Sequence, residues 1–431
     1  MNRSHVSVHH VFGSRRAGRN AGKPGQEARE PSAHTAAAYP LRIVLYSHDT
    51  QGLGHMRRNL LIAKALLKLE PRPVVLMISG AHQIGRLAIP QGIDCLTLPA
   101  LGKCPDGQYE PRSLSVSLDR LMALRAGTIQ SAIEAFDPDV LLADKVPLGA
   151  FGELEPSLQW LKARGKARCV LGQREVLDAP ETVRKEWHKA GSDQAISSYY
   201  DAIWVYGDRA IYDPVREYGF VRDVARKIRY TGYLDRSADT EELDDETARM
   251  MDTLQLPSDA RLALCYVGGG QDGDAVAEAF ARTELPPNTV GVIVTGPFMP
   301  EEQQRHLQNV AADASKLCIL TFVPETAPLL RRADWVVCMG GYNTVCEVLA
   351  FEKQALIVPR VEPRIEQLIR AERLCELGLV DMLLPSKLAP EAIGSWLRRT
   401  PGRRRNIREH IDMNALTRLP GLVRDLVTPR P

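Results

Sequence analysis

From Leu41 onward the chain alternates short apolar runs with stretches of helical periodicity. LRIVLYS reads as a strand, the turn-rich HDTQGLGH follows, and residues 55–69 carry helical spacing. PVVLMISG, IDCLTLPA, VLLA at 140–143, CVLGQREVLD, DAIWVYGD and IRYTGYL read as further strands, and residues 113–136 as a helix with a Leu/Met/Ile stripe. Residues 235–260 are acidic and polar, fitting a connection with a surface helix. The rhythm then restarts with LALCYVGGGQDG, a helix over 274–282, VGVIVTG, KLCILTFV, a short helix around 327–332, VVCM, ALIVP, a helix led by Pro363, and VDMLLP. Such alternation predicts doubly wound α/β domains with parallel sheets. Each half opens on a strand ending in a glycine-rich turn. The expected organisation is a disordered tail over 1–39, Rossmann-like domains over 40–233 and 234–405, and a helical segment over 406–431. Ligands of open α/β sheets bind beyond the carboxyl ends of the strands, so the site should be the cleft between the two domains.

The stretch with the most chemistry is VVCMGGYNTVCEVLAFEKQALIVP, Val336 to Pro359. Its apolar start is a buried strand. Gly340-Gly341 permits close backbone approach. Asn343 and Thr344 are cap-type residues at an expected helix start. A helix N-terminus offers free N–H groups and a partial positive charge to a phosphate. Glu347 lies one turn beyond Thr344 on the same face, placed to accept hydrogen bonds from a ribose diol. In RVEPRIEQ, Pro363 suits a helix start. Ile365, Leu368, Ile369 and Leu374 form the expected buried stripe, leaving Glu366 and Gln367 exposed on the first turn for sugar hydroxyls.

Composition adds exclusions. The 431 residues exceed one ordinary core, 44% are hydrophobic, and the net charge of +2 gives no sign of a nucleic-acid partner. The charge is uneven, because the first 40 residues hold Arg3, Arg15, Arg16, Arg19, Lys23 and Arg29 against Glu27 and Glu30. A peripheral membrane contact through those arginines has no pattern to support it. No apolar run spans a bilayer and no secretory h-region precedes the fold. The eight cysteines are scattered without a CxxC pair. That argues against a disulfide framework or zinc site and for a reducing cytoplasm. The arginines at 399, 403, 404, 405 and 408 suit a solvated helix face or a contact at the domain junction.

Three further constellations lie at strand ends. Gly54-His55 follows the first strand, and a histidine there either serves as a general base or braces the loop. Gly268-Gly269-Gly270-Gln271 makes an anion nest or a sharp turn. Phe322-Val323 holds a flat base or packs in the core. No P-loop, HExxH or DxD-type metal motif stands out.

The order and spacing of these pieces resemble GT-B glycosyltransferases, in the branch of the bacterial peptidoglycan N-acetylglucosaminyltransferase with a family 28 type of C-terminal domain. The specific segment is GGYNTVCEVLAFEKQALIVPRVEPRIEQLIRAERL; TFVPETAPLLRRADWVVCMGG and GLGHMRRN are similar in order. The resemblance implies two Rossmann-like domains facing each other across a cleft, a nucleotide-sugar donor (UDP-linked), an unidentified acceptor, no cofactor or metal, and an inverting transfer of a hexose-type sugar. It implies that Phe322 and Val323 bracket the base and that Gly341, Asn343 and Thr344 meet the diphosphate. Glu347 would hold the ribose, and Glu366 and Gln367 the donor sugar. Gly54, Gly269, Gly270 and Gln271 would line the cleft. His55 is the catalytic candidate and Asp144 its partner. Tyr342-Asn343 and Glu366 depart from the family pattern where the donor sugar would be chosen. A UDP-sugar 2-epimerase of the same fold and a non-catalytic nucleotide-sugar-binding protein are the alternative readings.

Overall fold

The computed structural model describes residues 39–48, 54–80, 89–103, 109–237, 259–269, 272–312, 316–321, 325–399 and 406–428, together with Arg249, Leu254, Pro257 and Val323. The basic tail over 1–38 and the candidates Gly270, Gln271 and Phe322 lie outside the described residues.

Two all-parallel sheets carry the fold. The first has the order β3-β2-β1-β6-β7-β8-β9, from β1 (Arg42–Ser47), β2 (Val74–Ser79), β3 (Ile93–Thr97), β6 (Val140–Asp144), β7 (Arg168–Arg174), β8 (Ala202–Tyr206) and β9 (Ile228–Gly232). The second has the order β12-β11-β10-β13-β14-β15, from β10 (Arg261–Tyr266), β11 (Thr289–Val294), β12 (Leu317–Leu320), β13 (Trp335–Cys338), β14 (Gln354–Ile357) and β15 (Asp381–Met382). A small antiparallel pair, β4 (Leu101–Lys103) and β5 (Tyr109–Pro111), was not expected from the sequence. At three residues each, its strands are too short to show alternation.

Strand β1 shows why continuous apolar runs predict these sheets. Ile43, Val44, Leu45 and Tyr46 are all fully buried, as a central parallel strand covered on both faces requires. Alternate residues serve opposite layers. Ile43 and Leu45 share a core with Met56, Ile62 and Leu66 of the helix Gly54–Leu66. Val44 and Tyr46 pack with Ile129 and Ile133 of the helix Leu118–Phe136. The first of these cores runs on into Leu262, Leu264, Val336 and Cys338 of the second sheet, so apolar packing is continuous between the halves.

The chain end ties the halves together. The helix Ala415–Val427 packs on the helix Gly54–Leu66 and on β9. Residues 400–405 of the arginine-rich segment lie outside the described residues. Arg408 reaches Asp235 at 2.6 Å and Glu352 at 3.1 Å, so it bridges rather than only facing solvent. The seven described cysteines are free. Among the described residues, no helix is long and apolar enough to cross a membrane, and no His/Cys/Asp/Glu group could hold a metal ion.

Candidate active site

The carboxyl ends of both sheets meet at one cleft. On the first-sheet side, β6 ends in Asp144 and the helix Gly54–Leu66 begins beside it. His55 Nδ1 lies 2.6 Å from Asp144 Oδ2. Arg58, one turn along the helix, donates to both Asp144 oxygens at 2.6 and 2.5 Å. Burial opposes ionisation of Asp144, but the Arg58 guanidinium and His55 outweigh it and hold the carboxyl well below the usual range. Arg58 Nη2 also lies 2.9 Å from His55 Nδ1, so this ring nitrogen is held by both neighbours and Nε2 is the other ring nitrogen. The His55 side chain is 19% exposed. The neighbouring His48 ring, with its centroid 5.5 Å away, is pushed down to about 3 by burial and then by His55 and Lys145. It is neutral and does not compete as a proton source.

On the second-sheet side, the helix Tyr342–Ala350 starts at Gly341, which occupies the N-cap position. The expected start at Asn343 and Thr344 is therefore two to three residues late. Gly340-Gly341 already turns the chain, so no side-chain cap is used. A Cβ added at Gly268 would come 3.8 Å from Thr344 Oγ1, and one at Gly341 would come 4.0 Å from it. The end of β10, the glycine turn and Thr344 thus enclose one small polar space. Gly296 closes its side, since a Cβ there would approach Gly268 O within 2.3 Å. Gly269 O accepts from Phe298 N at 3.0 Å.

Asn343 does not face this space. Its Nδ2 donates to Gly54 O at 2.9 Å and so links the two halves. Tyr342 is likewise buried, with Arg58 and Arg370 lying 5.7 and 5.6 Å from its ring centroid and Tyr233 stacked at 6.2 Å. This departure from the family pattern therefore serves the junction between the halves, not a sugar pocket.

Glu347 is buried, accepting from Arg236 Nη1 at 2.8 Å and from Thr326 Oγ1 at 3.2 Å. Burial raises its pKa despite Arg236. Arg236 also pairs with Glu325. Val323 is buried near Arg57, whose Nη2 reaches its carbonyl at 3.5 Å.

Glu366 and Gln367 correct an expectation. They are 4% and 8% exposed, not solvent-facing. The helix begins at Glu366, and its buried face is Glu366, Gln367, Arg370, Ala371 and Leu374. Arg370 sets that rotation: fully buried, it pairs with Glu175 at 2.6 Å and turns the polar first residues inward with it. Glu366 Oε1 accepts from Arg360 at 2.6 Å, whereas its buried Oε2 has no partner. Gln367 Oε1 accepts from Arg360 N at 3.1 Å, and its Cβ and backbone crowd Gly340, where an added Cβ would come 3.0 Å from them.

Residues 265–416 match the glycosyltransferase family 28 C-terminal domain. The chain has the GT-B fold and resembles the family 28 glycosyltransferases. A Haemophilus influenzae UDP-N-acetylglucosamine--N-acetylmuramyl-(pentapeptide) pyrophosphoryl-undecaprenol N-acetylglucosamine transferase is 30% identical over 80 residues, 19% of this chain and 23% of the relative. The chain therefore aligns with under a quarter of that relative's length. The transferase of the same description from Solidesulfovibrio magneticus is 23% identical over 317 residues, covering 71% of this chain and 74% of the relative. The crystal structure of Acinetobacter baumannii MurG superposes with a TM-score of 0.54 at 16% identity, covering 90% of this chain and all of that one. A Neisseria meningitidis UDP-GlcNAc 2-epimerase superposes at 0.57 with 11% identity, covering 90% of this chain and 99% of that one. At such identities the likeness is one of fold alone. The GT-B cleft contains several arginines that sequence reasoning assigned no role. Arg58 sits inside the GLGHMRRN motif, at helical spacing from His55, and that spacing was the one available signal.

Proposed function

We propose that the protein transfers a hexose-type sugar from a UDP-linked donor to an acceptor hydroxyl, with inversion and without a resident cofactor. The observation that carries this reading is the His55–Asp144–Arg58 cluster at the start of the helix Gly54–Leu66, which the Asn343 Nδ2 to Gly54 O hydrogen bond joins to the start of the helix Tyr342–Ala350. His55 Nε2 takes the acceptor hydroxyl proton. The acceptor oxygen bonds to the anomeric carbon as the bond from that carbon to the diphosphate oxygen breaks, and the nucleotide diphosphate leaves with the electron pair. The helix N-terminus favours the departing charge. Thr344 and Gly341 are assigned to the diphosphate, Val323 to the base, Glu347 to the ribose, and Glu366 Oε2 and Gln367 to the donor sugar. The 2-epimerase reading is not favoured, because the family match and both sequence relatives are transferases.

A thermal-shift screen against UDP-, GDP-, ADP- and dTDP-sugars tests the donor. Saturation at 100 times Kd contributes about 2.7 kcal/mol of stability, so the preferred donor should raise the melting temperature clearly above the others. Equal or absent shifts would remove the donor assignment. Released nucleotide with an acceptor panel then reads turnover, and an epimerised donor without acceptor would defeat the transferase reading. Chelation with EDTA is expected to leave turnover unchanged; loss that Mg²⁺ restores would contradict the cofactor-free mechanism. Glu347→Ala should weaken UDP binding by about tenfold, the loss of one hydrogen-bonded carboxylate. Calorimetry showing unchanged affinity would take the ribose away from this residue.

A further inference from the structure

Most basic side chains of the cleft are held by its own acids. Arg58 is paired with Asp144, and Arg370 with Glu175. Arg364 is paired with Asp178 at 3.0 Å and Glu186 at 2.7 Å, and Arg360 with Asp272 at 2.8 Å and Glu366 at 2.6 Å. Two cations remain. Lys145 and Arg174 make no ion pair among the described residues, and the buried Arg174 Nε has no hydrogen-bond partner.

Their placement is fixed by the backbone. Arg174 ends β7, and Lys145 follows the last residue of the adjacent β6, with Lys145 N donating to Gly172 O at 2.8 Å. Both therefore sit at the carboxyl edge where GT-B ligands bind, and Lys145 is next in sequence to Asp144. Lys145 holds a left-handed φ of 69°, a strained conformation for a residue with a side chain. The two cations also repel. Burial and then Arg174 and Arg364 push the Lys145 ammonium down to about 7, against the opposing pull of Glu366 and Asp144. Burial, Arg370 and Arg58 push Arg174 down to about 10, against the opposing pull of Glu366 and Glu175. Cations left unpaired in a partly buried cleft are destabilising unless a ligand supplies the counter-charge.

We propose that Lys145 and Arg174 bind an anionic group of the acceptor, a carboxylate or a phosphate ester, beside the hydroxyl that His55 deprotonates. This rests on the transferase reading for the word acceptor, but the anion site itself does not. The site selects acceptors by charge: a neutral glycoside lacking the anion would leave both cations uncompensated.

Trace acetylation of Lys145 in the full chain, read by mass spectrometry across pH, tests this without turnover. Without ligand, labelling should rise steeply around pH 7. With UDP saturating the donor side, inorganic phosphate or glucuronate should slow labelling at pH 7 by about tenfold as the bound anion holds the ammonium charged. Protection by phosphate alone marks a phosphate ester as the natural group, and protection by glucuronate alone marks a carboxylate. Arg174→Met should remove the protection while UDP affinity stays as in the parent. Two results overturn the inference: no protection by either anion, or full protection by UDP alone, which would give these cations to the donor diphosphate. A chain that turns over donor with a neutral acceptor and shows no protection loses this site and keeps its transferase function.

Discussion

His55→Ala is expected to lower kcat by about 10²–10⁴-fold, the usual contribution of a positioned general base, while UDP affinity stays near that of the parent. The expectation rests on the arrangement around the ring. Asp144 Oδ2 lies 2.6 Å and Arg58 Nη2 2.9 Å from Nδ1, and Arg58 also holds Asp144, so the ring is oriented by two buried neighbours. Asp144 is a positioning residue in this scheme, and Asp144→Asn tests it differently. The asparagine carbonyl can still accept from Nδ1, but the charge that stabilises the imidazolium is gone, and Arg58 is left buried without its counter-ion. The variant should therefore lose turnover and also unfold more easily, whereas His55→Ala should lose turnover alone. A His55→Ala enzyme with turnover close to the parent would remove the histidine from the chemistry and leave it as a brace for the loop.

Much of this architecture is readable from local pattern. Parallel strands covered on both faces are continuous apolar runs, and the glycines that end β10 and β13 mark where the chain must turn sharply. Strand positions and the cleft edge follow from those two facts. His55 and Asp144 are readable too, because each lies at a strand end where ligands bind. The arginines are not. Arg58 meets Asp144 across 86 positions, Arg236 meets Glu347 across 111, and Arg370 meets Glu175 across 195. No periodicity links such partners, and a charged residue on an amphipathic helix is ordinarily read as solvated. The same blindness misplaces Glu366 and Gln367. Their helix has an apolar stripe that points to one rotation, but the buried ion pair of Arg370 imposes another. Tyr342 is misread for a related reason, since its departure from the family pattern only makes sense once Arg58, Arg370 and Tyr233 are seen to surround it.

Arg370→Met is expected to be the most destabilising single change in the cleft. Glu175 and Arg370 are both fully buried. Arg370 Nε donates to Glu175 at 2.6 Å and its Nη1 donates to Gly340 O at 2.9 Å. Tyr233 supplies the remaining donor to Glu175, at 3.2 Å. Removing the guanidinium leaves a carboxylate buried with one neutral partner, a loss of about 3–5 kcal/mol for a broken buried pair. The double variant Glu175→Gln/Arg370→Met should cost much less than the sum of its parts, because it also removes the stranded charge. The same guanidinium holds the carbonyl of the glycine turn that opens the proposed diphosphate space, so Arg370→Met should also weaken UDP binding, although it touches no part of the proposed nucleotide. Urea unfolding of the two single variants and the double variant reads the coupling, and calorimetry with UDP reads the second effect. A single variant within about 1 kcal/mol of the parent, the size of an ordinary surface change, would show that the two halves are held together by their apolar core and the Ala415–Val427 helix alone.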